Sequence, residues 1–326
     1  MFTFNIEKAN NEANFSLSIN WDLIIIGGGP AGLNASLYAK RKGLEVGIIT
    51  DEIGGQLHNT TEVDNYLGFK KIEGKDLSEQ FLNHINNLNV PILKNIRVKE
   101  IKHLNPDFEI FLSNGKIIKS KTILIATGGS PRKLEVDGEE TFKNTGVSYC
   151  TTCDAPFFKD KHVIVAGGGN SAVEAILDLV PWASKITLVH RSLWRADQIL
   201  LDKIKNLEKV TILLNTEIKN IYGDNKMQGL TVYSKEKNDL YDIKADGIFI
   251  EIGTIPNSSL VMNLVEVNDR NEIIVDKNQM TSVEGIFAAG DVTIQPDKQI
   301  IISAAEGAKA ALAATKYLNK YYKETE

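Results

Sequence analysis

Three consecutive glycines occur twice in this chain, each time between a short apolar run and a stretch with helical spacing. Residues 21–26 run directly into Gly27-Gly28-Gly29-Pro30-Ala31-Gly32, after which the pattern predicts a helix over 33–42 and a second strand over 44–49. Residues 162–166 lead likewise into Gly167-Gly168-Gly169-Asn170-Ser171-Ala172, with a helix predicted over 173–180 and a strand over 185–189. Strand, glycine turn and helix in that order open a βαβ unit, whose parallel strands require a crossover. Two such units predict an α/β chain with two Rossmann-like dinucleotide-binding domains.

Gly27, Gly29 and Gly32 satisfy the spacing G-x-G-x-x-G, and Gly167, Gly169 and Ala172 satisfy it with alanine last. The first glycine permits a tight turn, the second lets the backbone approach a pyrophosphate, and the third position lets helix pack on strand. Phosphate oxygens then meet the helix N-terminus, which in the second unit includes Ser171. The units differ where their second strand ends. The first ends at Asp51, about 20 residues past Gly32, where an acid bonds a ribose hydroxyl; Glu52 is the alternative. The second ends in His190-Arg191 with Arg195 soon after. Arginine there suits a 2′-phosphate that an acid would repel, so the second unit predicts NADPH over NADH. A solvated basic loop is the plainer reading.

The chain has two cysteines, and they stand in Cys150-Thr151-Thr152-Cys153. One thiolate of such a pair can attack a partner disulfide while the other resolves the mixed intermediate. A zinc site needs four ligands, and His58, His84, His103, His162 and His190 show no paired spacing that could complete one. A nicotinamide gives up a hydride, whereas a disulfide opens through sulfur adducts. A flavin can do both, which predicts FAD at the first glycine turn and electron flow through it to the cysteine pair.

A net charge of -5 offers no basic field for nucleic acid. No apolar run approaches the ~20 residues of a membrane span. The N-terminus lacks a secretory pattern, and one redox-type pair without a disulfide framework predicts a cytoplasmic protein. Alternating apolar residues in the first twenty positions predict an extended arm or disorder. Gly/Pro breaks at 128–131 and 253–257 predict domain boundaries. The helix expected over 300–321 starts with Ser303, Ala304, Ala305, Gly307 and Ala308. Those small residues fit either a bulky group against the helix start or close helix packing.

These motifs, with Gly54-Gly55-Gln56-Leu57, Asp64-Asn65-Tyr66, Ala126-Thr127-Gly128 and Phe287-Ala288-Ala289-Gly290-Asp291, resemble the low-molecular-weight thioredoxin reductases from residue 21 to about residue 320. The resemblance implies a three-layer ββα architecture, with an NAD(P)H domain of residues 132–252, carrying the cysteines, inserted in a discontinuous FAD domain of residues 1–131 plus 253–326. It implies FAD contacts at Gly27, Gly29, Gly32, Gln56, Asn65, Gly290, Asp291 and Gln299, with Thr127 and Gly128 beside the cofactor. It also implies a homodimer, and rotation of the inserted domain between two arrangements. By the same resemblance Cys153 faces the flavin, Cys150 attacks the disulfide of thioredoxin, and Asp154 handles the proton; Asp154 as a helix N-cap is the plainer alternative. Phe157, Phe158 and Arg132 correspond to the region that grips thioredoxin.

The resemblance is imperfect at the second nucleotide. The usual His-Arg-Arg-x-x-x-Arg-Ala appears as His190-Arg191-Ser192-Leu193-Trp194-Arg195-Ala196, one residue shorter. Asn170-Ser171, Ala196-Asp197-Gln198 and residues 298–302 are similar to the reductase part of the NADH-preferring flavoprotein that serves alkyl hydroperoxide peroxiredoxins, which carries an extra N-terminal thioredoxin-like region. That reductase is the second expectation. A ferredoxin-fed reductase and a flavin redox sensor remain as rivals.

Overall fold

The computed structural model describes residues 15–59 and 63–322. Its elements begin with β1 (Asn20–Gly28), α1 (Pro30–Arg41), β2 (Val46–Ile53), α2 (Gly74–Asn87), β3 (Ile92–Lys94), β4 (Val98–His103), β5 (Phe108–Leu112), β6 (Ile117–Ile125) and β7 (Gly129–Pro131). They continue through β8 (Val147–Ser148), α3 (Thr151–Asp154), β9 (His162–Ala166), α4 (Asn170–Leu179), β10 (Lys185–Val189), α5 (Gln198–Ile204) and β11 (Val210–Leu213). Next come β12 (Thr216–Gly223), β13 (Met227–Ser234), β14 (Asp239–Lys244), β15 (Gly247–Ile250), β16 (Thr254–Pro256), β17 (Ile286–Ala288) and α6 (Ile300–Tyr322).

The continuous apolar run of β1 marks a strand covered on both faces. Leu23, Ile24 and Ile25 are fully buried, and β1 lies parallel to β2 on one side and β6 on the other. The first sheet has the order β3-β2-β1-β6-β5-β4. The start of β6 pairs antiparallel with β5, and its end pairs parallel with β17. Through that second pairing the C-terminal part of the chain rejoins the sheet begun at residue 20. Helices α1 and α6 cover one face, with Leu33, Ala310 and Ala314 packed on Leu23, Ile25 and Leu124. A Cβ at Gly307 would stand 2.0 Å from the Ala31 carbonyl oxygen, so the two helices meet backbone to backbone.

The second sheet, β11-β10-β9-β15-β8, is parallel throughout. Val163 and Val165 of β9 face α4 and α5. Ile164 and Ala166 face the antiparallel sheet β12-β13-β14 through Ile221, Leu230 and Val232. That alternation makes three layers, sheet on sheet on helix. This second dinucleotide fold is inserted in the first, and the chain crosses between them twice. β7 and β16 form an antiparallel ribbon in which Thr254 faces Pro131 and Pro256 faces Gly129, so the two crossings run side by side.

The alternation expected over residues 1–20 lies largely outside the described residues; within them Phe15 is buried against Trp21, ring centroids 4.8 Å apart. No helix among the described residues is long and apolar enough to cross a membrane.

Candidate active site

The first glycine turn follows from close packing behind it. Gly27 has φ +120°, and a Cβ there would lie 2.1 Å from the Ala126 carbonyl oxygen; only glycine fits. Gly32 lies against the Gly27 carbonyl. Gly29 caps α1 with Pro30 in the first helical turn, and a Cβ on Gly29 would meet nothing within 4 Å. Bare backbone at a helix N-terminus, open on its outer side, fits the demands of a pyrophosphate. Asp51 is half-exposed near the end of β2, where its Oδ2 accepts a hydrogen bond of 2.8 Å from Arg97 Nε. Arg97 carried no sequence signal, since it comes from the connection between β3 and β4.

The remaining residues expected beside the flavin converge at the start of α6. Gln56 Nε2 donates to Asp291 Oδ2 at 2.7 Å, and Ser303 Oγ donates to Asp291 Oδ1 at 3.1 Å. Asn65 Nδ2 donates to Gln299 Oε1 at 3.3 Å. Burial raises the Asp291 carboxyl above its ordinary range, against those two donors and Lys298. The Gly290 N–H donates to Glu306 Oε2 at 2.8 Å; Glu306 is a buried acid in α6 that no sequence pattern flagged. Thr127 and Gly128 sit at the chain crossing, where the Thr127 hydroxyl donates to the Asn257 carbonyl at 2.7 Å and Asn257 Nδ2 returns a bond to the Thr127 carbonyl. The donor set of turn, amides and one partly buried acid fits a flavin dinucleotide.

The second turn repeats the backbone and changes its surroundings. A Cβ at Gly167 would lie 2.3 Å from the Glu251 carbonyl oxygen, and Gly169 is open as Gly29 is. Ser171 is exposed in the first turn of α4, whereas Ala172 is buried under the turn. His190 is placed differently from Arg191 and Arg195. Its ring packs under Gly168, where a Cβ would meet it at 2.2 Å, and its exposure is 4%. Burial, with Arg195 and Arg191 nearby, holds its pKa below the usual value. His190 therefore supports the turn from below as a neutral ring, while Arg191 and Arg195 are exposed beyond β10. Asn170 and Asp197 exchange two hydrogen bonds, 2.8 and 2.9 Å, that tie the basic loop to the turn.

Cys150 and Cys153 are disulfide-bonded, with Cα atoms 5.3 Å apart, across the single turn of α3. Asp154 stands at the N-cap of the one-turn helix that follows α3 and makes no side-chain cap bond there. Its Oδ2 instead accepts from Ser148 Oγ at 2.6 Å, and Ser148 Oγ accepts from the Cys150 N–H at 3.1 Å. One hydroxyl thus fixes the carboxylate beside the backbone of the first cysteine. Tyr149 Oη donates to buried Glu139 at 2.8 Å, and Thr151 Oγ1 donates to Glu251 Oε1 at 2.7 Å. A cleft of about 210 Å³ lies alongside, lined by Ser148, Asp154, Phe157 and Phe158 among others. The two phenylalanines differ in exposure. Phe157 is 43% exposed, whereas Phe158 packs edge-on to Phe249 and against Gly247, because the one-turn helix after α3 has about three residues per turn and sets Phe158 on the same inward face as Ala155. Arg132 is exposed at the ribbon, where its N–H donates to the Gly253 carbonyl.

The family described as pyridine nucleotide-disulphide oxidoreductase matches residues 21–315, a span that holds both glycine turns, the cysteine pair and most of α6. The chain belongs to that family. As a pyridine nucleotide-disulphide oxidoreductase it is an enzyme, and membership implies FAD and a pyridine nucleotide. It is 41% identical over 299 residues to a protein of Staphylococcus aureus that is one component of alkyl hydroperoxide reductase, covering 91% of this chain and 59% of that protein. The chain thus spans 59% of the length of this relative. Among solved structures it resembles thioredoxin reductase of Streptococcus pyogenes, with TM-score 0.88, 35% identity and coverage of 92% of this chain and 99% of that one. It also resembles thioredoxin reductase of Lactococcus lactis in the FR conformation, with TM-score 0.65, 33% identity and coverage of 92% and 100%. The oxidoreductase fold therefore matches thioredoxin reductases over nearly its whole length. Of the residues not anticipated, Glu251 had a readable signal: a single acid inside the apolar run Ile248-Phe249-Ile250-Glu251-Ile252.

Proposed function

We propose that the protein reduces the disulfide of thioredoxin or a thioredoxin-like partner, drawing electrons from NADPH. The observation that carries this reading is the closed Cys150–Cys153 pair, with Asp154 fixed beside it by Ser148 and an open cleft alongside. FAD, when bound at the first turn, supplies a carrier that accepts a hydride and delivers electrons to sulfur. Gly27, Gly29, Gly32, Asp51, Gln56, Asn65, Thr127, Gly128, Gly290, Asp291 and Gln299 would hold it. Gly167, Gly169, Ser171, Ala172, Arg191 and Arg195 would bind NADPH, with His190 bracing the turn from below.

Two electrons and two protons convert the Cys150–Cys153 disulfide to a dithiol. The Cys150 thiolate then attacks the partner's disulfide, and one partner sulfur leaves as a thiol. Cys153 attacks the mixed disulfide, which closes the pair again and releases the partner as a dithiol. Asp154 moves the protons at its carboxylate. Residues 132–252 act as one body, hinged at the β7–β16 ribbon, that presents first the cysteines and then the nucleotide to the flavin. Two thioredoxin reductases of similar identity to this chain give TM-scores of 0.88 and 0.65, which supports more than one arrangement of the same parts. The active form is a homodimer working in the cytoplasm.

A second reading is an NADH-fed reductase acting with an alkyl hydroperoxide reductase partner. It is favoured by the 41% identity to the Staphylococcus aureus component of that system and by the burial of His190 under Gly168, which leaves one base fewer at the rim. Anaerobic stopped-flow mixing decides between them. NADPH should bleach the flavin faster than NADH does, and thioredoxin should restore the colour. Asp154→Asn should slow restoration by about 10²-fold while sparing bleaching. Faster bleaching by NADH would replace the first reading with the second, and no bleaching by either nucleotide would refute both.

A further inference from the structure

Glu251 belongs to two structures at once. Its N–H donates to the Ala166 carbonyl at 2.8 Å, which extends the β15–β9 ladder, and its carbonyl oxygen forms the floor of the second glycine turn at Gly167. Its side chain reaches the other way, to the hydroxyl of Thr151 at 2.7 Å. Thr151 is 4% exposed and adjoins Cys150 at the start of α3. The corresponding residue under the first turn is Ala126, whose N–H donates to the Ile26 carbonyl at the same 2.8 Å and whose methyl group can make no such bond.

We propose that Glu251 is a positioning residue that couples the dithiol helix to the second glycine turn, so that opening of the disulfide and occupancy of the turn each alter the other. The proposal rests on the reading of Cys150–Cys153 as redox-active and of the second turn as the nicotinamide-nucleotide site. Opening the ring frees the first turn of α3 and shifts Thr151. The carboxylate follows its donor, and the main chain that follows the carboxylate abuts Gly167. Because the link is between equilibria, it acts equally in both directions.

The same contact makes the coupling sensitive to pH. The groups facing the Glu251 carboxyl are Thr151 from α3 and the acids Glu174 and Asp178 from α4. Burial first, then the two acids, raise it to about 7 against the hydrogen bonds from Thr151. A carboxylate accepts from Thr151 more strongly than a neutral acid does. The coupling is therefore strongest above neutrality.

The test is a double-mutant cycle on the FAD-loaded full chain, with calorimetric titration of NADP⁺ as the probe. Dissociation constants are compared for the disulfide form and for Cys150→Ser/Cys153→Ser, in which the ring cannot close. With Glu251 present the two should differ by about 5-fold or more at about pH 8. The difference should shrink at about pH 6, and with Glu251→Gln it should fall below about 2-fold at both pH values. Thr151→Val removes the same bond from the other side and should give the same loss, which separates coupling from a folding defect. Equal ratios with glutamate and glutamine would overturn the proposal alone. Absence of NADP⁺ and NAD⁺ binding in every form would overturn the reading of the second turn and the proposal with it.

Discussion

The two glycine turns have the same backbone construction and opposite surroundings. In each, a glycine lies against the carbonyl of the residue that follows the neighbouring strand, Ala126 in one and Glu251 in the other, and a second glycine is left open at the mouth. Beyond the first turn stand Asp51 and a cluster of amides around Asp291. Beyond the second stand a buried neutral imidazole and two exposed arginines. The shared part is set by the steric needs of a strand–turn–helix that meets phosphate. On the proposed reading the divergent part would select which dinucleotide is held, because it would meet the end of the ligand away from the pyrophosphate. The turns also differ in mechanical isolation: the first is backed by an alanine, the second by an acid tied to the cysteine helix.

Substitution of the matching glycines gives the sharpest separation. Gly27→Ala should cost about 3 kcal/mol or more and yield protein without flavin colour, since both the left-handed φ and the Ala126 contact oppose a methyl group. Gly167→Ala should keep the colour and lose bleaching by nucleotide by at least about 10²-fold, read by flavin absorbance and stopped-flow. Loss of flavin from both variants would erase the distinction between the turns.

The next effect is electrostatic and belongs to the second turn only. Burial lifts Glu251 from its ordinary 4.5 to about 7, so the folded chain keeps a proton that the unfolded chain has released between those values. The stability this group contributes is fully present below about pH 4.5 and is lost as pH rises through 7. The stability of the native chain relative to Glu251→Gln should fall by about 3 kcal/mol from about pH 4.5 to about pH 8, measured by denaturant unfolding. A pH-independent difference would show that the acid is no more buried than its neighbours.

The smallest effect concerns the rim. Arg191→Ala combined with Arg195→Ala should raise KM for NADPH by about 10-fold and leave that for NADH within about 2-fold. Equal effects on both nucleotides would reduce the arginines to a general basic surface and remove the contrast with Asp51.

Both turns and the cysteine pair were legible in the sequence because each is a run of neighbours whose chemistry depends on spacing along the chain. Glycine at 27 and 167, an open glycine two residues on, and Cys-x-x-Cys declare themselves locally, as do the fully apolar strands behind them. Residues 157 and 158 show where local reading stops. Both are phenylalanine, and only packing on Phe249 partly buries one and leaves the other exposed. The roles of His190 under Gly168 and of Asp51 beside Arg97 were hidden for the same reason.

The order of residues along the chain is therefore enough to specify the fold class, the two nucleotide turns and the dithiol. Packing decided which side chains stand together: Gln56 with Asp291 across 235 residues, Thr151 with Glu251 across 100, and the chain crossings paired as β7 and β16. Periodicity reports which face of an element is buried. It carries no record of which distant element covers that face, and that choice is made by how whole sheets and helices pack.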